Sequence, residues 1–226
     1  MNLRENLATE ERPRERLARY GVQSLTDAEL LALLLGSGVK GRHAIALASD
    51  LLQATQGLRG LQRHTLNELL ELRGLGMARA CLLCASFELG QRTSLATLQD
   101  GEVVTDPQQI MDYCRQALSS LATEHCIGLW LDTHNRLIEK SELSRGTVNQ
   151  TTVYTREVIA QAIRHRASGL IMAHNHPAGH AQPSAEDIEL TRTLADALQH
   201  VDVQLLDHII VAGPRTISLA QLGYTW

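Results

Sequence analysis

The stretch whose reading decides this chain is Ala173-His-Asn-His-Pro-Ala-Gly-His-Ala-Gln-Pro-Ser-Ala-Glu-Asp187. Side chains on a strand repeat with a period of two, so His174 and His176 face the same way. They follow Gly169-Leu-Ile-Met-Ala173, an apolar run that reads as a buried strand, and Pro177 stops the ladder just beyond them. Asp187 falls in the first turn of a helix reading from Ser184 to about His200, where it can fold back over the strand end. Two imidazoles and a carboxylate leave a fourth tetrahedral position open, as a catalytic zinc site requires. The plainer readings stand beside this one: a His-x-His pair arises by chance, and Ser184-Ala-Glu-Asp187 also spells a helix capping box. The full combination of His-x-His, seven residues, Ser, two residues and Asp points to one metal per chain, zinc by its donor set.

Helices and strands alternate around this motif. A helix near Pro107 to Leu121 precedes Cys126-Ile-Gly-Leu-Trp-Leu131, a strand-like run. Asp132-Thr-His-Asn135 supplies turn residues, and Leu137 onward returns as the partner strand. A helix near Arg156 to Arg166 leads into the strand at Gly169; Val203 to Ala212 is a further strand, and Thr216 to Leu219 a short last one. This half is therefore α/β.

The first ~92 residues read differently, as short helices joined by glycine turns with no strand signal. Thr26-Asp-Ala-Glu29 and Thr65-Leu-Asn-Glu68 are capping boxes. The first opens the run Leu30 to Leu35, which stops at Gly36-Ser-Gly38; the second opens a helix ending at Gly74-Leu75-Gly76. Further helices are expected over His43–Leu52 and from Met77 to Arg92, with Thr93 to Thr105 as linker. The expected domains are 1–95, all-α, and 103–226, mixed α/β.

Composition agrees with two soluble halves. Residues 1–92 hold 12 Lys and Arg against 10 Asp and Glu, a net +2, and the remainder carries −6 of the overall −4. Opposite signs suggest different partners, but +2 alone is too small to argue for nucleic acid. No apolar run approaches the ~20 residues that span a bilayer. The polar start Met1-Asn-Leu-Arg-Glu5 lacks the apolar core of a secretory signal, so a cytoplasmic address without membrane is expected. Cys81 and Cys84 have the Cys-x-x-Cys spacing of a zinc ligand pair, but no second pair follows, and they read as small residues on a buried helix face.

The spacing from His174 to Asp187 resembles the JAMM (MPN) metalloprotease motif. Arg145-Gly-Thr147, Arg156-Glu157, His174-Asn-His-Pro177, Pro183-Ser184 and Leu206-Asp-His-Ile-Ile-Val211 resemble the bacterial RadC family, and Leu30 to Gly38 with Leu72-Arg-Gly-Leu-Gly-Met-Ala78 resemble its helix-hairpin-helix region. The resemblance implies a small all-α helix-hairpin-helix domain followed by a mixed α/β JAMM/MPN domain. It places the metal ligands on His174, His176 and Asp187, an oxyanion-steadying serine on Ser184, and the JAMM glutamate on Glu124, with Glu139 and Glu142 as nearby competitors. The sequence departs from the family at Pro177-Ala-Gly-His180, which introduces His180 in the loop, and at Tyr154-Thr155; neither touches a ligand. Asp207 and His208 lie on a strand, where hydrogen bonding to the site fits better than ligation.

Two functions follow as expectations. The first is a zinc-dependent hydrolase, a metalloprotease or isopeptidase in which Glu124 activates a metal-bound water. The second is a DNA repair or recombination protein whose metal domain does little chemistry. For the second, Gly74 and Gly76 let backbone approach a phosphate, amides at the start of the helix from Met77 face it, and Arg79 adds charge. Two His and a carboxylate also describe the non-haem iron triad, but that site usually sits in an all-β barrel. Nucleobase deaminases need His-x-Glu with Pro-Cys-x-x-Cys, which is missing, and two-metal nucleases need more carboxylates.

Overall fold

The structure, a computed structural model, describes residues 11–99, 106–146 and 153–226. The chain divides into two compact units at Leu89/Gly90. No helix among the described residues is long and apolar enough to cross a membrane.

The first unit is helical: α1 Pro13–Tyr20, α2 Asp27–Leu35, α3 Ala44–Ala54, α4 Leu58–Arg63, α5 Leu66–Glu71 and the start of α6, Met77–Gln99. Both expected capping boxes form, Thr26 with Glu29 and Thr65 with Glu68, each side chain taking the other end's amide. Leu31, Leu35, Leu47, Leu51, Leu61, Leu69 and Leu83 close a leucine core among them. Each fully buried leucine contributes about 1.5–3 kcal/mol through area removed from water. Gly74, at φ +93°, makes the turn between α5 and α6. The positive φ calls for glycine, and a Cβ there would also lie 2.6 Å from Leu47 Cδ1, so that side chain would have to shift. Two expectations change in this region. Residues 93–99 continue α6 instead of forming a linker, with Leu95 and Leu98 packed on the second unit's core. Cys81 is exposed, its thiol against Met77 Sδ, whereas Cys84 is half-buried at the leucine core.

The second unit is a five-stranded mixed sheet with helices on both faces. Its elements run α7 Pro107–Leu118, β1 His125–Leu131, β2 Leu137–Arg145, α8 Thr155–His165, β3 Gly169–Asn175, α9 Ala185–Gln199, β4 Gln204–Ala212 and β5 Arg215–Ser218. Strand order is β2-β1-β3-β4-β5. β3 and β4 are parallel, joined through α9, and the other neighbours are antiparallel. β1 and β3 are buried along their whole length, which explains their continuous apolar runs. On one face α7 presents Ile110, Tyr113, Cys114 and Leu118 to Ile127, Leu129, Ile171 and Ala173. On the other, α8 and α9 present Val158, Ala162, Leu194 and Leu198 to Cys126, Trp130, Leu170 and Met172. Even-numbered residues of β3 thus face α9, and His174 follows Leu170 and Met172 on that face.

Candidate metal centre

Strand parity brings His174 and His176 to the α9 side of the sheet, and the start of α9 brings Asp187 to meet them. His174 Nε2 lies 2.8 Å from His176 Nε2 and 3.1 Å from Asp187 Oδ1, and His176 Nε2 lies 3.4 Å from Asp187 Oδ2. Among the described residues these three form a convergent donor group that could hold a metal ion. Bonds of about 2.0–2.1 Å at a tetrahedral metal put neighbouring donors roughly 3.3 Å apart. The observed triangle sits close to that size, so the donors fit a zinc-sized ion with little rearrangement.

Each candidate ligand is oriented by a partner of its own. The His176 Nδ1 group donates to the backbone carbonyl of His180 at 2.7 Å, which leaves Nε2 with its lone pair toward the centre. His180's own ring is exposed, as a loop histidine should be. His174 Nδ1 lies 2.7 Å from His208 Nε2, His208 Nδ1 lies 2.6 Å from Thr191 Oγ1, and Thr191 donates to the Asp187 carbonyl. Only one hydrogen placement leaves His174 Nε2 free for a metal. His174 donates to His208, His208 donates to Thr191, and Thr191 donates to Asp187 O. The ring closes from one ligand onto the backbone of another, and it requires His208 to be neutral. Burial, and next the neighbouring His174, hold the His208 pKa well below its ordinary value, in keeping with that requirement. Asp207, by contrast, accepts from Ser218 Oγ and from the amides of His208 and Ala220, which secures β4 to β5.

The two readings of Ser184 and Asp187 coexist. Ser184 is the N-cap of α9: its Oγ accepts from the Asp187 amide, and Asp187 Oδ2 accepts from Ser184 N and Oγ at 2.8 Å each. Oδ2 serves the cap while Oδ1 faces His174. Burial pushes the Asp187 carboxyl up, but hydrogen bonds from His174, His176 and Ser184 outweigh it and hold the group far below the usual carboxylate range. The Asp187 hydrogen bond in turn raises the pKa of His176 against the opposing effect of burial.

Glu124 sits immediately before β1. That strand pairs with β3 so that Cys126 lies opposite His174 and Ile127 opposite Ala173. The same register carried back two residues puts Glu124 across from His176, and residues directly opposite share a face. The carboxylate is close enough to His176 to help raise its pKa, and to Cys126 to help burial keep that thiol protonated. The competitors lie elsewhere. Glu142 is opposite Ile127, on the other face, and pairs with His125 Nδ1 at 3.2 Å. Glu139 is opposite Trp130, four residues farther along β1 than Cys126.

In the first unit the hairpin residues behave unequally. Gly76, Met77 and Ala78 are exposed at the start of α6. Arg79 folds inward, its guanidinium donating to the carbonyls of Gly74, Ser37 and Gly38. It ties the two glycine turns together and is committed before any phosphate arrives.

The fold and the donor set together define a JAB/MPN-type domain, a fold of the metal-dependent hydrolase kind. The chain belongs to the RadC family: residues 104–224 match the RadC-like JAB domain, and residues 5–81 match the UPF0758 N-terminal domain. It is 48% identical over 223 residues to a UPF0758 protein of Bordetella petrii, covering 99% of both chains. A UPF0758 protein of Dechloromonas aromatica is 48% identical over 215 residues, covering 94% of this chain and 95% of its own. One from Stenotrophomonas maltophilia is 46% identical, with 95% and 92% covered.

Sequence reasoning missed Thr191 and the His180 carbonyl. Thr191 lies one helical turn beyond Asp187, on the same face of α9, and that spacing was the available signal. The carbonyl had none, since a backbone partner leaves no mark on residue type.

Proposed function

We propose that this protein is a zinc-dependent hydrolase of JAMM type, cleaving an amide bond in a peptide or isopeptide. The observation that carries the reading is the compact triangle of His174, His176 and Asp187; the role given to Glu124 is supported by its place two residues before Cys126, which pairs with His174. Zinc on those three donors would bring the pKa of a bound water toward ~7 and polarise a carbonyl. The chain's own groups supply the rest. Glu124 takes the proton of the attacking water and passes it to the leaving amine, the step a neighbouring carboxylate can perform. The Ser184 hydroxyl stands beside the donors and turns from Asp187 Oδ2 toward the charge developing on the carbonyl oxygen. His208 and Thr191 keep His174 in the tautomer that ligation needs.

The test is a matched pair of measurements on the full chain. Elemental analysis should give about one zinc per chain in wild type and in Glu124→Gln, whereas His174→Ala and Asp187→Ala lose it. Quenched-fluorophore peptides joined through α-amide or Lys ε-amide bonds should be cleaved by wild type, with Glu124→Gln slower by roughly 10²–10⁴-fold. Turnover that survives Glu124→Gln, or loss of metal from that variant, would overturn the assignment.

A second reading, a nucleic-acid protein with an idle metal domain, draws on the exposed amides at Gly76–Ala78. With Arg79 turned inward, that surface offers few positive contacts.

A further inference from the structure

Asn175 stands between the two histidine ligands in sequence but on the opposite face of β3. It is 2% exposed, a polar amide at the end of an apolar strand. Its side chain makes three hydrogen bonds, all to the segment that leads from α7 into β1. Oδ1 accepts from the His125 amide at 2.8 Å, and Nδ2 donates to the carbonyls of Thr123 at 3.0 Å and Leu121 at 3.3 Å. The Thr123 carbonyl belongs to the peptide unit before Glu124, and the His125 amide to the unit after it. The Glu124 carbonyl, in that second unit, also accepts from Gly146 N at 2.9 Å. Both peptide planes flanking the Glu124 Cα are therefore fixed, and its φ and ψ with them.

Only a side-chain amide satisfies this arrangement. The segment offers one buried N–H and two C=O groups, and asparagine supplies one acceptor and two donors. Aspartate would turn lone pairs toward the two carbonyls, and leucine would leave three backbone groups without partners.

We infer that Asn175 is a positioning residue that sets where the Glu124 carboxylate stands relative to the metal ligands. One short strand end then does two jobs: its even residues hold the metal, and its odd residue holds the proton carrier at a fixed offset. The inference rests on the proposed role of Glu124.

The experiment uses the full chain with cobalt(II) in place of zinc, because cobalt's visible bands report the groups around the metal's open position. Asn175→Leu and Asn175→Thr are compared with Glu124→Gln and with the double variant Asn175→Leu/Glu124→Gln. Zinc affinity is measured by chelator competition. Expected is a cobalt spectrum in Asn175→Leu that reproduces the change made by Glu124→Gln, with no further change in the double variant. Asn175→Thr, which keeps a hydroxyl and strand propensity, should fall between and remains folded if Asn175→Leu does not. Zinc affinity should stay well short of the ~10–100-fold loss that follows removal of a group orienting a ligand. If Glu124→Gln shifts the bands and neither Asn175 variant does, the positioning inference is wrong and the Glu124 reading stands. If Glu124→Gln is itself silent, both are wrong. A large zinc loss in Asn175→Thr would show that Asn175 shapes the ligands instead.

Discussion

Replacing His208 by leucine should weaken zinc binding by one to two orders of magnitude without touching a ligand. His208 is fully buried, and its Nε2 is the acceptor 2.7 Å from His174 Nδ1. Leucine leaves that N–H facing apolar atoms, and a buried donor stripped of its partner costs about 1–3 kcal/mol. At ~1.4 kcal/mol per factor of ten, this corresponds to roughly 5- to 150-fold. The range agrees with the ~10–100-fold typical when the group orienting a metal-binding histidine is removed. The cost falls on the metal-bound state in particular, because a metal-free His174 can move its proton to Nε2 and a bound one cannot. Thr191→Val is nearly isosteric, cuts the same ring one step later, and should cost less, since His208 remains as acceptor. In the double variant the two losses should not add. Chelator competition on the purified proteins gives the affinities, and melting of the metal-free forms separates binding from folding. A His208→Leu zinc affinity within twofold of wild type would refute the tautomer argument.

Other outcomes follow from the same geometry. The metal-free chain should be folded, with zinc at a hundredfold excess over Kd adding ~2.7 kcal/mol and hence roughly 5–10 °C to Tm; a chain unfolded without metal would contradict this. Zinc stabilisation should grow from pH 6 to 8, because the pKa of His176 is raised and its proton must leave for the metal. In the metal-free chain the sign is opposite. The raised His176 pKa contributes stability that is fully present below its unfolded value near ~6.5 and lost as pH rises through the folded one, so Tm should fall toward pH 9; calorimetry at three pH values checks both. On DNA the full chain should bind duplex weakly, with log affinity falling by about 0.9 per phosphate contact per log unit of salt. Gly76→Val should abolish this binding, since Gly76 has open space around it, while Gly74→Val should instead lower Tm through the clash with Leu47; equal binding by Gly76→Val and wild type in an anisotropy titration would leave the hairpin purely structural.

What could be read from the sequence was whatever local physics decides. β1 and β3 are central strands, buried on both faces, so they appear as unbroken apolar runs. The capping boxes at Thr26, Thr65 and Ser184 are three-residue hydrogen-bonding patterns and form as read. α1 and α4 escaped because neither shows a strong signal. α1 is Pro13-Arg-Glu-Arg-Leu-Ala-Arg-Tyr20, with little apolar content, and α4 contains Gly60, which reads as a breaker. Inside α4 the position nonetheless requires glycine, because a Cβ there would fall 1.5 Å from the Thr55 carbonyl oxygen. The linker reading failed at Leu95 and Leu98, whose spacing is helical but whose partners lie in α7 and the sheet. Asn175 was invisible for a deeper reason. Its partners are about fifty residues away, and no local pattern distinguishes a buried amide with three bonds from a polar residue at a strand end.

The overlap at Asp187 says how this site is made. In a zinc finger the metal supplies the folding free energy, and ligands converge only when it binds. Here each donor is already placed by an interaction that folding provides. β3 parity aligns the histidines, the cap of α9 fixes Asp187 through Ser184, and His208 and the His180 carbonyl set the two rings. One carboxylate thus serves both the capping box, through Oδ2, and the candidate donor group, with Oδ1 toward His174 and Oδ2 toward His176. The arrangement carries a charge cost, because a buried carboxylate and two imidazoles must coexist without the ion, and the raised His176 and depressed Asp187 pKa values are its record. Donors placed in this way would leave a metal ion little to rearrange on binding.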